Sequence, residues 1–265
     1  MVPIFWIIVI LGVVEGITEF LPISSTGHLI LVKHWLSYTG TTADSLIVVI
    51  QSGAILAVVW EYRQSFLGLL RHQPGNSFSG WPGCWRLLLT TVPALALGFL
   101  GHKWIKHHLF SPTTVACALI VGGLALILIE RKPRSPKWDT LQAVTPRLAL
   151  WVGLCQCLAL WPGFSRSAAT ILGGMWQGMH RKLAAEYSFF AAVPVLIAAA
   201  GYDLYKSLPL LTRGDAGYML LGGAISFGVA LVAIRLFIRY VATSTLAGFG
   251  YYRIVLGIGV LLLLR

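Results

Sequence analysis

The stretch Glu15-Gly-Ile-Thr-Glu-Phe-Leu-Pro-Ile-Ser-Ser-Thr-Gly-His28 decides the fold, because it places a proline and polar residues inside an apolar region, residues 4–36. A second apolar region, residues 148–179, is interrupted in the same way by Trp161-Pro-Gly-Phe-Ser-Arg-Ser167. We name Phe20–His28 the first break and Trp161–Ser167 the second break. Proline cannot donate a hydrogen bond inside a helix, and serine and threonine favour helix N-caps. Each break therefore predicts a helix, a loop and a new helix.

The composition around the breaks indicates a membrane protein. Of the 265 residues, 57% are hydrophobic and 11% are charged, whereas about 25% of the residues in a soluble chain are charged. Too few charged residues remain to cover a globule of this size in water, so lipid must surround most of its surface. The net charge of +11 comes from residues between apolar runs, which is typical of cytoplasmic loops and does not indicate nucleic acid.

Outside the breaks, six apolar stretches approach the roughly 20 residues that a helix needs to cross a bilayer. They are residues 44–62, 84–101, 112–130, 184–204, 216–238 and 247–264. Each broken region is either one interrupted crossing or a re-entrant pair of short helices, since irregular backbone at membrane depth must lie inside the protein or beside a wet cavity. The predicted fold class is an all-α integral membrane protein with one membrane domain, residues 1–265.

The two broken regions also resemble each other. At one constant offset, the aligned pairs are Gly12 with Gly153, Phe20 with Trp161, Ser24 with Ser165, Thr26 with Ser167 and Ile30 with Ile171. This pattern predicts a first repeat at 1–131 and a second repeat at 148–265, joined by a cytoplasmic linker at 132–147. If each half contains one re-entrant pair and three crossings, an odd number, the second half must be inverted relative to the first.

The basic residues predict the orientation. In the inverted arrangement, about twice as many lysines and arginines lie on one side as on the other. The richer side, which contains Arg86, Arg181 and Arg235, is then cytoplasmic and both termini are periplasmic. Full crossing by the broken regions would scramble this asymmetry, which favours the re-entrant alternative. Because no basic residue precedes Lys33, residues 1–20 are expected to belong to the mature fold and not to a cleaved signal.

Ionisable side chains at membrane depth are costly and therefore mark candidates for function. Four of them stand out in the broken regions, Glu15, Glu19, His28 and Arg166. Glu15 and Glu19 are four residues apart, so both carboxylates share one helix face, where they hold a cation, share a proton or face a cationic partner. His28 is either a satisfied interior histidine or a proton-transfer group.

Each break also offers an anion site. Hydroxyl groups cluster where the next helix should begin, and a helix N-terminus provides free N–H groups and partial positive charge. Arg166 adds a guanidinium that binds phosphate oxygens in a bidentate way. The residues expected to bind substrate are Ser24, Thr26, Gly163, Ser165, Ser167 and Thr170. Two such loops meeting near the midplane would form a phosphate site that also contains Glu15 and Glu19, and a divalent cation bound by these two carboxylates is one of the alternatives.

The stretch Glu15–His28 quoted above and the stretch Pro162-Gly-Phe-Ser-Arg-Ser-Ala-Ala-Thr170 resemble the two signature motifs of undecaprenyl-diphosphate phosphatases of the bacitracin-resistance type. The likeness covers nearly all of the chain. It implies an inverted-repeat enzyme of the bacterial inner membrane that removes the terminal phosphate of undecaprenyl diphosphate. That reaction recycles the lipid carrier for peptidoglycan synthesis and gives bacitracin resistance. The resemblance further implies a site open to the periplasm and a requirement for a divalent cation, Mg²⁺ or Ca²⁺.

Carried over residue by residue, the catalytic positions implied by the resemblance are Glu15, Glu19, Ser25, His28 and Arg166. Ser25 is the expected nucleophile, with Glu19 or His28 as its base, while direct attack by water or by His28 fits the spacing equally well. The alternative from another class is a polyprenyl-phosphate transporter or flippase, because secondary transporters also use inverted repeats with broken helices. The sequence specifies no oligomeric state.

Overall fold

The computed structural model describes residues 3–38, 40–131, 136–207 and 213–263, which form eleven α-helices and no β-strand. In chain order the helices are α1 (Ile4–Thr18), α2 (Ser25–Trp35), α3 (Thr41–Glu61), α4 (Arg63–Leu70), α5 (Gly80–Leu109), α6 (Pro112–Arg131), α7 (Pro146–Gln156), α8 (Arg166–Trp176), α9 (Arg181–Ser207), α10 (Arg213–Thr243) and α11 (Ala247–Leu263). Residues 132–135 of the predicted linker lie outside the described residues, and the last two residues of that linker belong to α7.

The long helices confirm an all-α integral membrane protein. Helices α5, α6, α9 and α10 are each long and apolar enough to cross a bilayer. Helices α3 and α4 form a fifth candidate, bent by 80°, and the sequence predicted neither this bend nor α4. Helix α5 extends beyond its predicted span at both ends. The 17 residues of α11 reach about 25 Å at 1.5 Å per residue, slightly less than a full hydrocarbon core.

Both predicted breaks separate short helices. Helix α1 ends at Thr18 and α2 begins at Ser25, while α7 continues into a 3₁₀ turn, Cys157–Leu160, before α8 begins at Arg166. The longest of these helices, α1, has 15 residues and spans about 22 Å, so none of them crosses a bilayer alone. Helix α1 packs against α2, and α7 packs against α8, as a re-entrant pair requires.

The two halves pack through matched pairs of helices. Helix α1 packs on α10, and α7 packs on α5. Helix α3 also packs on α10, and α9 also packs on α5. The remaining pairs are α3 with α9 and α6 with α11. Exchanging α1, α3, α5 and α6 for α7, α9, α10 and α11, respectively, reproduces this set of pairs, although the inversion itself stays a prediction. Small residues allow the closest approaches: a Cβ at Gly53 would collide with the backbone of Gly223, and one at Gly123 with the backbone of Gly250.

Helix ends on the predicted basic side are tied together by polar contacts. Arg181 and Glu130 form an ion pair with 2.6 Å between Nη2 and Oε2, and Arg235 and Glu61 form one with 2.7 Å between the same atom types. The Arg86 guanidinium donates to the carbonyl oxygen of Val144. The three arginines were all predicted for the same side of the membrane, and each stabilises a contact between elements that are distant in sequence.

Candidate active site

Helices α2 and α8 begin with the same backbone conformation. Their N-cap residues, Ser24 and Ser165, have φ angles of +71° and +73°. Each N-cap hydroxyl accepts a hydrogen bond, from Gly27 N in α2 and from Ala168 N in α8, both at 3.3 Å. A positive φ is uncommon outside glycine and persists only where the surroundings hold it. Because each serine satisfies the third N–H of its helix, the first two N–H groups remain available to an anion.

Glu19 receives one polar group from each break. Ser25 Oγ donates to Glu19 Oε2 at 2.6 Å, and Arg166 Nη2 donates to Glu19 Oε1 at 3.3 Å. Ser25 and Arg166 are the first residues of α2 and α8. Their donors therefore converge on a single buried carboxylate, which brings a hydroxyl, a carboxylate and a guanidinium together at the meeting point of two helix N-termini.

Contacts with Ser188 and Leu21 hold the Arg166 side chain and the second break in place. Arg166 Nη1 donates to the carbonyl oxygen of Ser188 at 3.0 Å, and Thr170 Oγ1 donates to Ser188 Oγ at 2.8 Å. Ser167 Oγ donates to the carbonyl oxygen of Leu21 at 2.8 Å, which links the two breaks directly. Ser188, on α9, was not predicted as a site residue because its role depends on a contact between distant segments.

Two buried polar groups at the site lack a hydrogen-bond partner among the described residues. The first is the carboxylate of Glu15, which is 1% exposed and has no partner for either oxygen. The second is Nε of Arg166. Groups of this kind are costly to bury unless a ligand satisfies them. Within the described ranges no three residues among His, Cys, Asp and Glu could together hold a metal ion. Glu15 and Glu19 therefore fit only a cation that is completed by other ligands, such as substrate phosphates.

Three further residues that the sequence predicted for the site are His28, Thr26 and Gly163. His28 Nδ1 lies 2.7 Å from the carbonyl oxygen of Ser24, and its Nε2 lies 2.6 Å from the hydroxyl of Tyr252. Because a carbonyl only accepts, Nδ1 carries a proton, and in the neutral ring Nε2 then accepts from Tyr252. Thr26 is exposed on α2. Gly163 has a φ of +96°, and its carbonyl oxygen accepts from Arg253 at 3.1 Å.

Sequence reasoning missed Tyr252 and Arg253, neighbours on α11 that contact the breaks. An available signal was an arginine within an apolar helix, which is the same criterion that selected Arg166. A cavity of about 970 Å³ bounded by α3, α4, α5, α9 and α10 was not predicted either; residues such as Leu56, Phe66 and Ile197 line it. Its lining contains no predicted site residue, so it belongs to a different part of the molecule.

Comparison with known proteins identifies the family. The family described as "Bacitracin resistance protein BacA" matches residues 8–259. A relative from Maridesulfovibrio salexigens is 55% identical over 247 residues, which cover 93% of this chain and 94% of the relative. Relatives from Nitratidesulfovibrio vulgaris, 54% identical over 92% of both chains, and Methylobacillus flagellatus, 49% identical over 95% of both chains, are similar over comparable lengths. All three are named undecaprenyl-diphosphatase. This chain belongs to the bacitracin resistance protein BacA family.

Proposed function

We propose that this protein hydrolyses undecaprenyl diphosphate to undecaprenyl phosphate and inorganic phosphate. The observation that carries the proposal is the Glu19 carboxylate, which binds Ser25 of α2 and Arg166 of α8. A hydroxyl beside a carboxylate and a guanidinium are the groups that phosphoryl transfer requires for attack and for charge stabilisation. The names of the relatives favour hydrolysis, and no observation on this chain favours a transporter.

Arg166 and the helix N-termini stabilise the phosphoryl group in this proposal. The guanidinium and the free N–H groups of α2 and α8 lie where the two breaks meet, so they can face the same anion. Donors fixed before the reaction stabilise the charge that develops on the phosphoryl oxygens without further reorganisation. The bound phosphoryl group would also satisfy Nε of Arg166, which lacks a partner among the described residues.

Ser25 acts as the nucleophile and Glu19 as its base. Ser25 Oγ attacks the terminal phosphorus, its proton passes to Glu19, and the bond from phosphorus to the bridging oxygen breaks to release undecaprenyl phosphate. Water then attacks the phosphoserine, the bond from phosphorus to Ser25 Oγ breaks, and the proton held by Glu19 returns to Ser25 Oγ. Inorganic phosphate leaves with the remaining proton of the water, and both side chains regain their starting states. The 2.6 Å hydrogen bond from Ser25 to Glu19 supports this assignment. Attack by His28 is disfavoured, because the lone pair on its Nε2 already accepts from Tyr252.

Glu15 and Glu19 would hold a divalent cation, Mg²⁺ or Ca²⁺, together with oxygens of the substrate. The unpartnered carboxylate of Glu15 supports this part of the proposal, since a bare buried carboxylate needs a counter-charge. When bound, the cation would neutralise part of the diphosphate charge. The chain itself contributes the two carboxylates and their fixed position at the end of α1.

The proposed location is the bacterial inner membrane, with the site and both termini facing the periplasm. The common basic side that contains Arg86, Arg181 and Arg235 supports this orientation by the positive-inside rule. On that side of the membrane, the reaction would recycle the lipid carrier for peptidoglycan synthesis and give bacitracin resistance. The only partners in this proposal are the polyprenyl diphosphate substrate and the membrane lipid.

Phosphate release tests the proposed activity. Purified protein in detergent is given undecaprenyl diphosphate, and inorganic phosphate is measured for the wild type, for Arg166→Ala and for the wild type with a chelator. We expect release by the wild type, and almost none from the variant or the chelated protein. Arg235→Ala, which removes a half-exposed ion pair with Glu61, is the matched control and should retain the wild-type rate. Lipid binding without phosphate release by the wild type would contradict the hydrolase.

A further inference from the structure

Arg253 is a fully buried arginine, 0% exposed, near the middle of α11. It forms no ion pair with a carboxylate in the described part of the chain. Its guanidinium instead donates to five backbone carbonyl oxygens: Nε to Leu119 at 3.3 Å, Nη1 to Pro22 at 3.1 Å, and Nη2 to Ala118 at 3.3 Å, Gly163 at 3.1 Å and Phe164 at 2.6 Å. One side chain thus satisfies carbonyl groups from three separate segments.

Those segments are α6 and the two breaks. Pro22 lies in the first break, two residues before the N-cap Ser24, and Phe164 directly precedes the N-cap Ser165 in the second break. A planar guanidinium with five N–H donors can hold several carbonyl groups at once, whereas an ammonium has only three donors and no fixed plane. Arg253 therefore fixes the backbone just before both helix N-termini, relative to one another and to α6.

This position explains how the two N-caps keep their conformation. Ser24 and Ser165 both have positive φ angles, and such strained residues relax unless their neighbours are held. Arg253 holds the neighbouring carbonyl groups on both sides of the site. It donates no hydrogen bond to Ser25 or Glu19, so its influence on the reacting groups acts through the backbone.

We propose that Arg253 is a positioning residue, which holds the two breaks in register so that Ser25 and Arg166 both reach Glu19. The inference rests on the proposed function, because positioning has meaning only for a reaction at that carboxylate. A residue that served only to stabilise the fold would change the amount of folded protein and leave the turnover of the folded fraction unchanged. A positioning residue lowers kcat in protein that remains folded.

Two substitutions of Arg253 separate these roles. Arg253→Met keeps the length of the side chain and removes all donors, and we expect kcat to fall about 100-fold, because small displacements of reacting groups have effects of this size. KM should change by less than about threefold, since the lost interaction mainly affects the reacting geometry. Arg253→Lys retains the charge and three donors, so its kcat should lie between those of Arg253→Met and the wild type.

Gly122→Ala tests the same contact without changing a charge. Gly122 lies on α6, and a Cβ there would overlap the guanidinium of Arg253. We expect kcat to fall as it does in Arg253→Lys. Gly259→Ala, on α11, is the matched control, because a Cβ at Gly259 meets no atom within 4 Å. This pair decides the inference even where Arg253→Met does not fold.

Amide hydrogen exchange gives a second readout that does not depend on activity. In Arg253→Lys and Gly122→Ala, peptides covering residues 20–27 and 161–168 should both exchange faster than in the wild type, while peptides from the middle of α10 should not change. Wild-type protein that releases no phosphate would overturn the proposed function, and the exchange data would still show whether Arg253 holds the breaks. Folded Arg253 variants and Gly122→Ala with wild-type kcat, or with unchanged exchange in both breaks, would overturn the positioning role.

Discussion

Ser24 and Ser165 cap the N-termini of α2 and α8 with nearly identical φ angles, +71° and +73°, yet the next residues are Ser25 in one half and Arg166 in the other. The difference continues along the preceding helices. At the offset that aligns the two serines, the residues of the first and second halves are Glu15 and Gln156, Glu19 and Leu160, and Ser25 and Arg166. The same backbone conformation thus carries acidic and hydroxyl side chains in the first half and a basic side chain in the second half.

The buried pair Glu15 and Gln156 shows what this difference means. Both side chains are 1% exposed. Gln156 Nε2 donates to the carbonyl oxygen of Thr90 at 2.9 Å, so that only its Oε1 lacks a partner among the described residues, whereas both oxygens of Glu15 lack one. The glutamine binds within the protein, and the glutamate is left for a ligand. We infer that the second half mainly supports and charges the site, while the first half performs the chemistry.

The largest effect is expected where the halves meet. Glu19→Gln keeps the size of the side chain and removes the base, so kcat should fall roughly 10³-fold to 10⁴-fold. Phosphate release from undecaprenyl diphosphate measures the change. Glu61→Gln, which loses only the ion pair to Arg235, is the control. Near-normal activity of Glu19→Gln would show that the base is another residue. The difference between Glu19 in the first half and Leu160 in the second would then have no catalytic meaning.

The hydroxyl of Ser25 is the next test. Ser25→Ala should lower kcat about 100-fold or more, because attack then depends on water. After rapid quenching, wild-type protein incubated with substrate labelled at the terminal phosphate should carry label on Ser25, and the variant should carry none. Ser52→Ala, which removes a hydroxyl bonded within its own helix at Val48, is the matched control. Unlabelled wild-type protein that nonetheless releases phosphate in the first turnover would favour direct attack by water.

Exchanging Glu15 and Gln156 tests the assignment of the cation. Glu15→Gln gives the first half the residue of the second, and we expect the Mg²⁺ concentration for half-maximal activity to rise about tenfold or more. Gln156→Glu should not lower that concentration, and it should destabilise the protein, because it buries a carboxylate against the carbonyl oxygen of Thr90. An unchanged Mg²⁺ requirement in Glu15→Gln would remove Glu15 from the cation site.

The smallest effects are expected at the shared N-caps. Ser24→Ala and Ser165→Ala should each cost about 1 kcal/mol of folding free energy, and the glycine variants only a few tenths. Glycine is better tolerated because it adopts a positive φ without strain. A loss of about 1 kcal/mol lowers the unfolding temperature by about 2–4 °C in a chain of this size. Thermal unfolding followed by tryptophan fluorescence would measure it, and unequal shifts at the two positions would show that the backbones are not equivalent in energy.

The local features of this structure were predictable from the sequence. Proline and the hydroxyl residues marked both breaks, and the cost of ionisable groups in a membrane selected Glu15, Glu19 and Arg166. These signals lie within short segments, so no knowledge of the packing was needed. The serine N-caps followed from the preference of serine for helix N-termini.

Features that depend on distant contacts could not be predicted. The contacts around three side chains come from segments far away in sequence. They are the hydroxyl of Tyr252 beside His28, the oxygens of Ser188 beside Arg166, and the carbonyl groups around Arg253. The 80° bend between α3 and α4 has no proline or glycine at the junction to mark it. Packing of one half against the other determines such features, and no local pattern encodes it.

Coupling between Ser25 and Arg166 tests the central claim, that the two breaks form one catalytic unit at Glu19. The measurement is kcat for Ser25→Ala, Arg166→Ala and the double variant, with folded protein verified for each. Groups that act in one step have strongly non-additive effects, so the double variant should be about as slow as the slower single variant. A double variant whose loss equals the product of the two single losses would show that the breaks act independently and would contradict the account.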